Sequence, residues 1–290
     1  MVPLAAVGLA FLLVPFVALL QQAPWSDMAD LLRQPVVTDA LRISLVSAVS
    51  ATAIALVVGV PLAWVLARAE FPGRAWARAL VTLPMVLPPV VGGAALLYAF
   101  GRRGLVGGPV YDATGLLLPF SLAGVVAANT FVAMPFLVIA VEGGLRGQDR
   151  RYEEVAATLG AGRWDVFRRV TLPMTLPSIS AGALLAWARA LGEFGATVTF
   201  AGNLQGRTQT MPLAVFLARE SDRGAAIALS LILDYARGFD AALQAMVAEK
   251  VLTRGANQSA SLAETLYRYF AVDLDKAPRA KFTIAWTVRK

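Results

Sequence analysis

Apolar runs of about twenty residues, long enough to cross a ~30 Å hydrocarbon core as a helix, recur along this 290-residue chain at 2–20, 41–67, 81–100, 116–141 and 179–201. The first has no basic residue ahead of it, so it reads as an uncleaved span and not as a secretory leader. The second carries Ser44, Ser47, Ser50 and Thr52 along one side, small polar side chains of the kind that serve helix–helix packing in a membrane. The third contains Pro84, Pro88 and Pro89, followed by Gly92 and Gly93. A helix so interrupted persists in a bilayer only where protein or a water-filled cavity satisfies the freed backbone groups. The fourth holds Asn129, Thr130 and Pro135. A sixth run, 225–233, reads AAIALSLIL and stops at Asp234, with Arg237 and Asp240 behind it, too short and too charged beyond that point to span by itself.

Past residue 233 the pattern changes. The stretches GFDAALQAMVAEKVL and SLAETLYRYF have amphipathic helical periodicity. The loop TRGANQSA joins them, and the final KFTIAWTVRK alternates like a strand. All four lysines (Lys250, Lys276, Lys281 and Lys290) fall in this part, whereas residues 1–233 use arginine alone. The chain therefore divides into a membrane domain at 1–233 and an atypical, soluble tail at 234–290. The expected architecture is an all-α polytopic helical membrane protein with five clear spans plus an incomplete sixth. A hydrophobic share of 58% and a mean hydropathy of +0.64 agree with that, since soluble domains sit near 45–50% apolar.

The net charge of +7 does not indicate nucleic acid, because the basic residues lie mostly in short loops between apolar runs, where they report orientation. Nine arginines (68, 74, 78, 146, 150, 151, 163, 168 and 169) fall in the loops after spans two and four; six (33, 102, 103, 207, 219 and 223) fall opposite. The bias places segment 154–173 on the cytoplasmic side. The absence of cysteine and histidine removes disulfides, thiolate chemistry and the commonest metal ligand. No lysine follows a glycine, so no phosphate-gripping GxxxxGK[ST] loop exists. We expect no catalytic residue, no metal site and no cofactor in this chain.

Segment 154–173, EVAATLGAGRWDVFRRVTLP, carries the most information. Residues 150–159 can form a short helix with Val155, Ala156 and Leu159 on one side and Arg151, Glu153 and Glu154 on the other. Gly160 and Gly162 permit a sharp turn. A helix resumes at 164–170, and Pro173 can open the next span. Such a helix is a lever able to dock on a partner; an amphipathic helix resting on lipid headgroups would use Arg163, Arg168 and Arg169 equally well.

These residues resemble the cytoplasmic loop of ABC importer permease subunits, whose form is EAA, three residues, G, nine residues, I, one residue, LP. Glu154, Ala156, Ala157, Gly160, Val170, Leu172 and Pro173 stand at that spacing, with valine replacing alanine at 155 and isoleucine at 170. The resemblance covers about 1–233 and implies the type I ABC importer permease fold. The stretches 83–107 and 187–216 look like molybdate-type permeases; sulfate and thiosulfate permeases share ARALGEFGA within the second. The resemblance implies a bacterial, multi-pass subunit of the inner or plasma membrane that translocates an oxyanion, molybdate or tungstate first and sulfate or thiosulfate second. It implies two copies forming the pathway, each coupled through the 154–173 segment to a separate cytosolic ATPase subunit that holds ATP and Mg. It also implies a periplasmic or lipid-anchored oxyanion-binding protein outside, and no nucleic acid.

Arg189 and Glu193, four apart in an apolar run, can pair on one helix face. Ionisable residues in a span mark either a pathway or a structural lock. With Thr197, Thr199 and Asn129 they are the candidates to line the path of a tetrahedral dianion. Arg207, Thr208 and Gln209 form either a solvated outer loop or a contact for the binding protein. Two other classes compete. An ion-driven secondary transporter needs coupling carboxylates or histidines, yet Glu193 is the one acid deep in a clear span. A membrane-anchored adaptor would work through its tail. The tail itself departs from the resemblance at Asp234; a frameshift or fusion product, an appended domain or a poorly formed sixth helix would each produce that break.

Overall fold

The computed structural model describes residues 2–221 and 224–234, which form helices and connections without a strand. The tail helices and terminal strand expected at 235–290 lie outside the described residues. Among the described residues, four helices are long and apolar enough to cross a membrane. They are α1 (Val2–Gln21), α3 (Pro35–Arg68), α7 (Leu122–Gly147) and α9 (Arg163–Leu191). Between α1 and α3 lies the short α2 (Met28–Arg33).

The core is organised around α7. In its most apolar window 61% of the residues are buried, against 39% for α3, 28% for α9 and none for α1. Val125, Ala128, Val132, Leu137, Val138 and Val141 form its buried faces, and α3 and α9 pack on either side of it. Small residues set the approach. At Gly144 a Cβ would collide with Ser178, and at Gly182 it would come within 3.0 Å of the Ala140 Cβ. Without water to drive burial, such close backbone contact is the main source of association between membrane helices.

The third run is not one straight helix. It is split into α4 (Arg74–Val86) and α5 (Pro89–Phe100), bent by 118°. The cause is Pro88–Pro89. A proline forces the residue before it out of the helical region, and Leu87 and Pro88 are both extended (ψ 134° and 135°). Both halves pack along α7. Arg78 on α4 meets Glu142 near the end of α7, while Leu96 on α5 packs with Ala128 and Val132 in the first half of α7.

Other boundaries also differ from expectation. The fourth span begins at Leu122 and not at 116. Phe120 holds a left-handed φ of 57° and the Ser121 hydroxyl caps the helix by accepting from Gly124 N at 3.1 Å. The fifth begins far earlier, at Arg163, and stops at Leu191, after which α10 (Gly195–Ala201) is a separate short helix. The eight-residue α6 (Gly107–Thr114) lies between α5 and α7, and α11 (Met211–Ser221) and α12 (Gly224–Asp234) follow α10. The cut-off sixth run is thus an apolar helix, with Ala228 and Leu229 buried against α2, α3 and α11.

Both long spans beside α7 contain a π-turn, at Ala55–Gly59 in α3 and at Phe167–Thr171 in α9. Each lies two residues before a proline, Pro61 and Pro173. A proline ring clashes with the carbonyl four residues back. That carbonyl belongs to Val57 in one case and Arg169 in the other, the middle residue of each π-turn. The wider turn keeps the helix continuous past the proline. Pro173 therefore does not open a span; it sits inside one.

Candidate coupling site

Segment 154–173 folds as a hairpin of helices at the end where α3 finishes and α9 begins. Here α8 (Arg151–Thr158) starts with the Asp149 carboxylate accepting from Arg151 N at 3.0 Å. Glu153 and Glu154 stand in its first turn, where the helix dipole favours negative charge. It ends in a Schellman motif: Ala161 N donates to Ala156 O at 3.1 Å and Gly160 N to Ala157 O at 3.0 Å. That motif needs a left-handed residue, and Gly160 supplies it with φ 88°. Gly162 does not share the role; it caps α9 in an ordinary extended conformation (φ −65°).

The faces of α8 differ from those expected. Ala156 is fully buried, but Val155 and Leu159 are 48% and 47% exposed, so these three do not share a packed side. Glu153 and Glu154 also separate. Glu154 is exposed with Ala157 and Gly160, whereas the Glu153 carboxylate turns inward. Its Oε1 accepts from Arg68 Nη2 at the end of α3 and from Thr171 Oγ1 in the π-turn of α9, both at 2.9 Å. Val170 is buried, Leu172 half-buried and Pro173 exposed. Trp164, 68% exposed, stacks on Phe167 with ring centroids 5.5 Å apart. The outer surface thus joins Val155, Leu159 and Trp164 to the exposed Arg151, Arg163 and Arg168.

Behind it, arginines clamp the end of α3. Arg74 donates to Leu66 O and Ala67 O at 2.8 and 3.0 Å, and Arg78 donates to Leu66 O at 2.8 Å and to Glu142 at 2.6 Å. Arg146 pairs with the same Glu142 at 2.9 Å. Cations at a helix C-terminus satisfy its last carbonyls and oppose its dipole. An apolar groove of about 250 Å³ lies between the last turns of α3 and the start of α9, lined by Pro61, Trp64, Leu145, Phe167, Thr171 and Leu172 among others.

The other expected site residues lie toward the opposite end. Asn129 Nδ2 donates to Ser47 Oγ at 3.1 Å, and Thr197 Oγ1 donates to Asn129 Oδ1 at 3.3 Å. Ser47 Oγ donates to Ser44 O, and Ser44 Oγ accepts from Met211 N at 2.7 Å. One buried chain of neutral groups therefore ties α3, α7, α10 and α11. Arg189 and Glu193 pair at 2.5 Å but do not share a helix, since α9 has ended at Leu191. The second Glu193 oxygen accepts from Ala196 N at 2.7 Å and caps α10. Thr199 bonds back to Gly195 O at 2.8 Å and stays apart from that chain. Of the loop residues, Arg207 is exposed, but Thr208 and Gln209 are buried and do not form a solvated loop. Three backbone amides, of Arg207, Thr208 and Gln209, converge on Leu204 O.

Comparison with known proteins places this geometry. Residues 55–233 match the family model described as "binding-protein-dependent transport system inner membrane component". The molybdenum transport system permease protein ModB of Mycobacterium tuberculosis is 49% identical over 229 residues, covering 79% of this chain and 86% of that protein. The sulfate transport system permease protein CysT of Escherichia coli is 36% identical over 228 residues, 77% of this chain and 81% of that one. Among solved structures, a bacterial ABC transporter involved in the import of the acidic polysaccharide alginate superimposes with a TM-score of 0.65 at 16% identity, over 87% of this chain and 93% of that chain. The last likeness shows the fold, that of an ABC importer's membrane-spanning subunit.

Proposed function

The chain belongs to the family of inner-membrane components of binding-protein-dependent transport systems, as a multi-pass membrane protein, and from that premise we propose that it translocates molybdate, or tungstate of the same charge and shape. The observation that carries the substrate is the 49% identity to a molybdenum permease, set against 36% to a sulfate permease. Two copies form the pathway. Each is driven by a separate ATPase subunit that binds ATP and Mg and docks on α8 and the start of α9, where Val155, Leu159 and Trp164 offer apolar area inside a ring of arginines. Glu154, Ala157 and Gly160 belong to that docking surface; Ala156, Val170, Leu172 and Pro173 seat it on the spans. A binding protein delivers the anion on the other side, and the path inward passes Arg189, Glu193, Asn129, Thr197 and Thr199. The transport domain ends at 233, and the tail is an addition, the product of a frameshift or fusion.

Proteoliposomes with ATP inside and a molybdate-binding protein outside test the reading. Uptake of labelled molybdate should require ATP, survive collapse of ion gradients and be blocked by tungstate but not by equimolar sulfate. Equal block by sulfate would favour the sulfate reading. Uptake that needs a gradient and no ATP would make the chain a secondary carrier.

A further inference from the structure

Glu153 lies just outside the EAA-type pattern and does not face the docking surface, yet it is the side chain through which α8 grips both flanking spans. One carboxylate oxygen receives Arg68 from α3 and Thr171 from α9, each at 2.9 Å. The contact extends further. Thr175 Oγ1 donates to Thr171 O, and Gln148 Nε2 at the end of α7 donates to Thr175 Oγ1 at 2.8 Å. An apolar groove opens between the last turns of α3 and the start of α9, and the two spans meet farther along, at the π-turn of α3 and before it. Beside that groove the Glu153 carboxylate bridges the gap directly. Arg68 has its Nε buried without a partner, which leaves Glu153 as its counter-charge.

We propose that Glu153 is a positioning residue that carries the movement of α8 into α3 and α9 together, by holding Arg68 and Thr171 on one oxygen; this rests on the reading of α8 as the ATPase-coupling lever. The argument is mechanical. A helix seated by Ala156 alone could rock against its neighbours, because one methyl side chain contacts without constraining direction. A charged, doubly bonded carboxylate fixes orientation as well as distance. Both spans it grips carry a π-turn next to a proline, a local irregularity where a helix bends. A displacement of Glu153 therefore acts on two bends at once.

The test is Glu153→Gln in the full complex with its ATPase subunit and binding protein. Glutamine still accepts from Thr171 but leaves Arg68 without its counter-charge. The ATPase subunit should co-purify at the wild-type level with an unchanged melting temperature, while binding-protein-stimulated ATP hydrolysis and uptake fall about tenfold. The reversed pair Arg68→Glu with Glu153→Arg should regain at least about half of the stimulation, which a merely structural lesion would not do. Stimulation within about twofold of wild type in Glu153→Gln would overturn the proposal. So would loss of the ATPase subunit in that variant, which would put Glu153 in the docking contact, or a reversed pair as inactive as the single variant. If the wild-type chain binds no ATPase subunit at all, the coupling reading fails instead.

Discussion

The two ends of the helical bundle are held by different chemistry. At the end that bears α8 the joints are charged: Arg68 with Glu153, Arg78 and Arg146 with Glu142, and Arg74 on the last carbonyls of α3. Toward the other end the joints between spans are neutral and close, and the Arg189–Glu193 ion pair stays within the corner from α9 to α10. Asn129 links Ser47 and Thr197, and Gly93 and Gly195 let α5 and α10 touch backbone to backbone. Charged side chains reach across gaps and keep their direction when elements shift, whereas hydroxyl–amide bonds and glycine contacts work only at contact distance. On the proposed function, the difference suits an end that a partner pushes and an end that opens in response.

The comparison breaks most sharply at Gly160. A side chain there has open space, but φ 88° strains any residue other than glycine in the turn that ends α8, on the proposed docking surface. Gly160→Glu should remain in the membrane and lose co-purification of the ATPase subunit; wild-type recovery would remove α8 from the docking role. Next is Gly93, where an added Cβ would lie 2.7 Å from both Ala196 O and Thr199 Cβ. Gly93→Val should leave ATPase binding intact and destabilise the bundle by about 1–3 kcal/mol, read as a lower melting temperature in detergent. An unchanged melting point would mean that the close contact of α5 and α10 does not bear on stability. The smallest effect is expected for Asn129→Ala, which strips partners from Ser47 and Thr197. Interhelical polar bonds in membranes contribute about 1 kcal/mol or less, so a melting shift larger than that of Gly93→Val would reverse the ranking.

Much of the bundle was legible from run length, because a span of α1 or α7 size has no other use for twenty apolar residues. What escaped was local. The fifth span looked as if it began at 179, since Pro173 read as a helix start, whereas the helix of 164–170 runs on through it by way of a π-turn. The third read as an interrupted helix from its prolines, but the size of the bend, 118°, was not legible. The twenty-residue pattern drew attention to Glu154, but the inward carboxylate is its neighbour: one residue of α-helix turns a side chain by about 100°, and nothing in the sequence says which of two adjacent acids faces in. Thr208 and Gln209 read as solvated because a polar loop usually is; here the backbone knot on Leu204 O folds them under.

The nine residues between Gly160 and Val170 acquire a geometric meaning from the π-turn they lead into. Helical residues count azimuth, about 100° each. A residue deleted from 161–166 would swing α8 around the axis of α9 and carry Glu153 away from Arg68. A residue deleted from 167–171 would leave that azimuth in place, because a π-turn holds one more residue than the α-turn it replaces, at the cost of returning the Pro173 ring to the carbonyl four residues back. The interval is thus a dial setting between lever and span, and the bulge is the one place along it where the dial has slack.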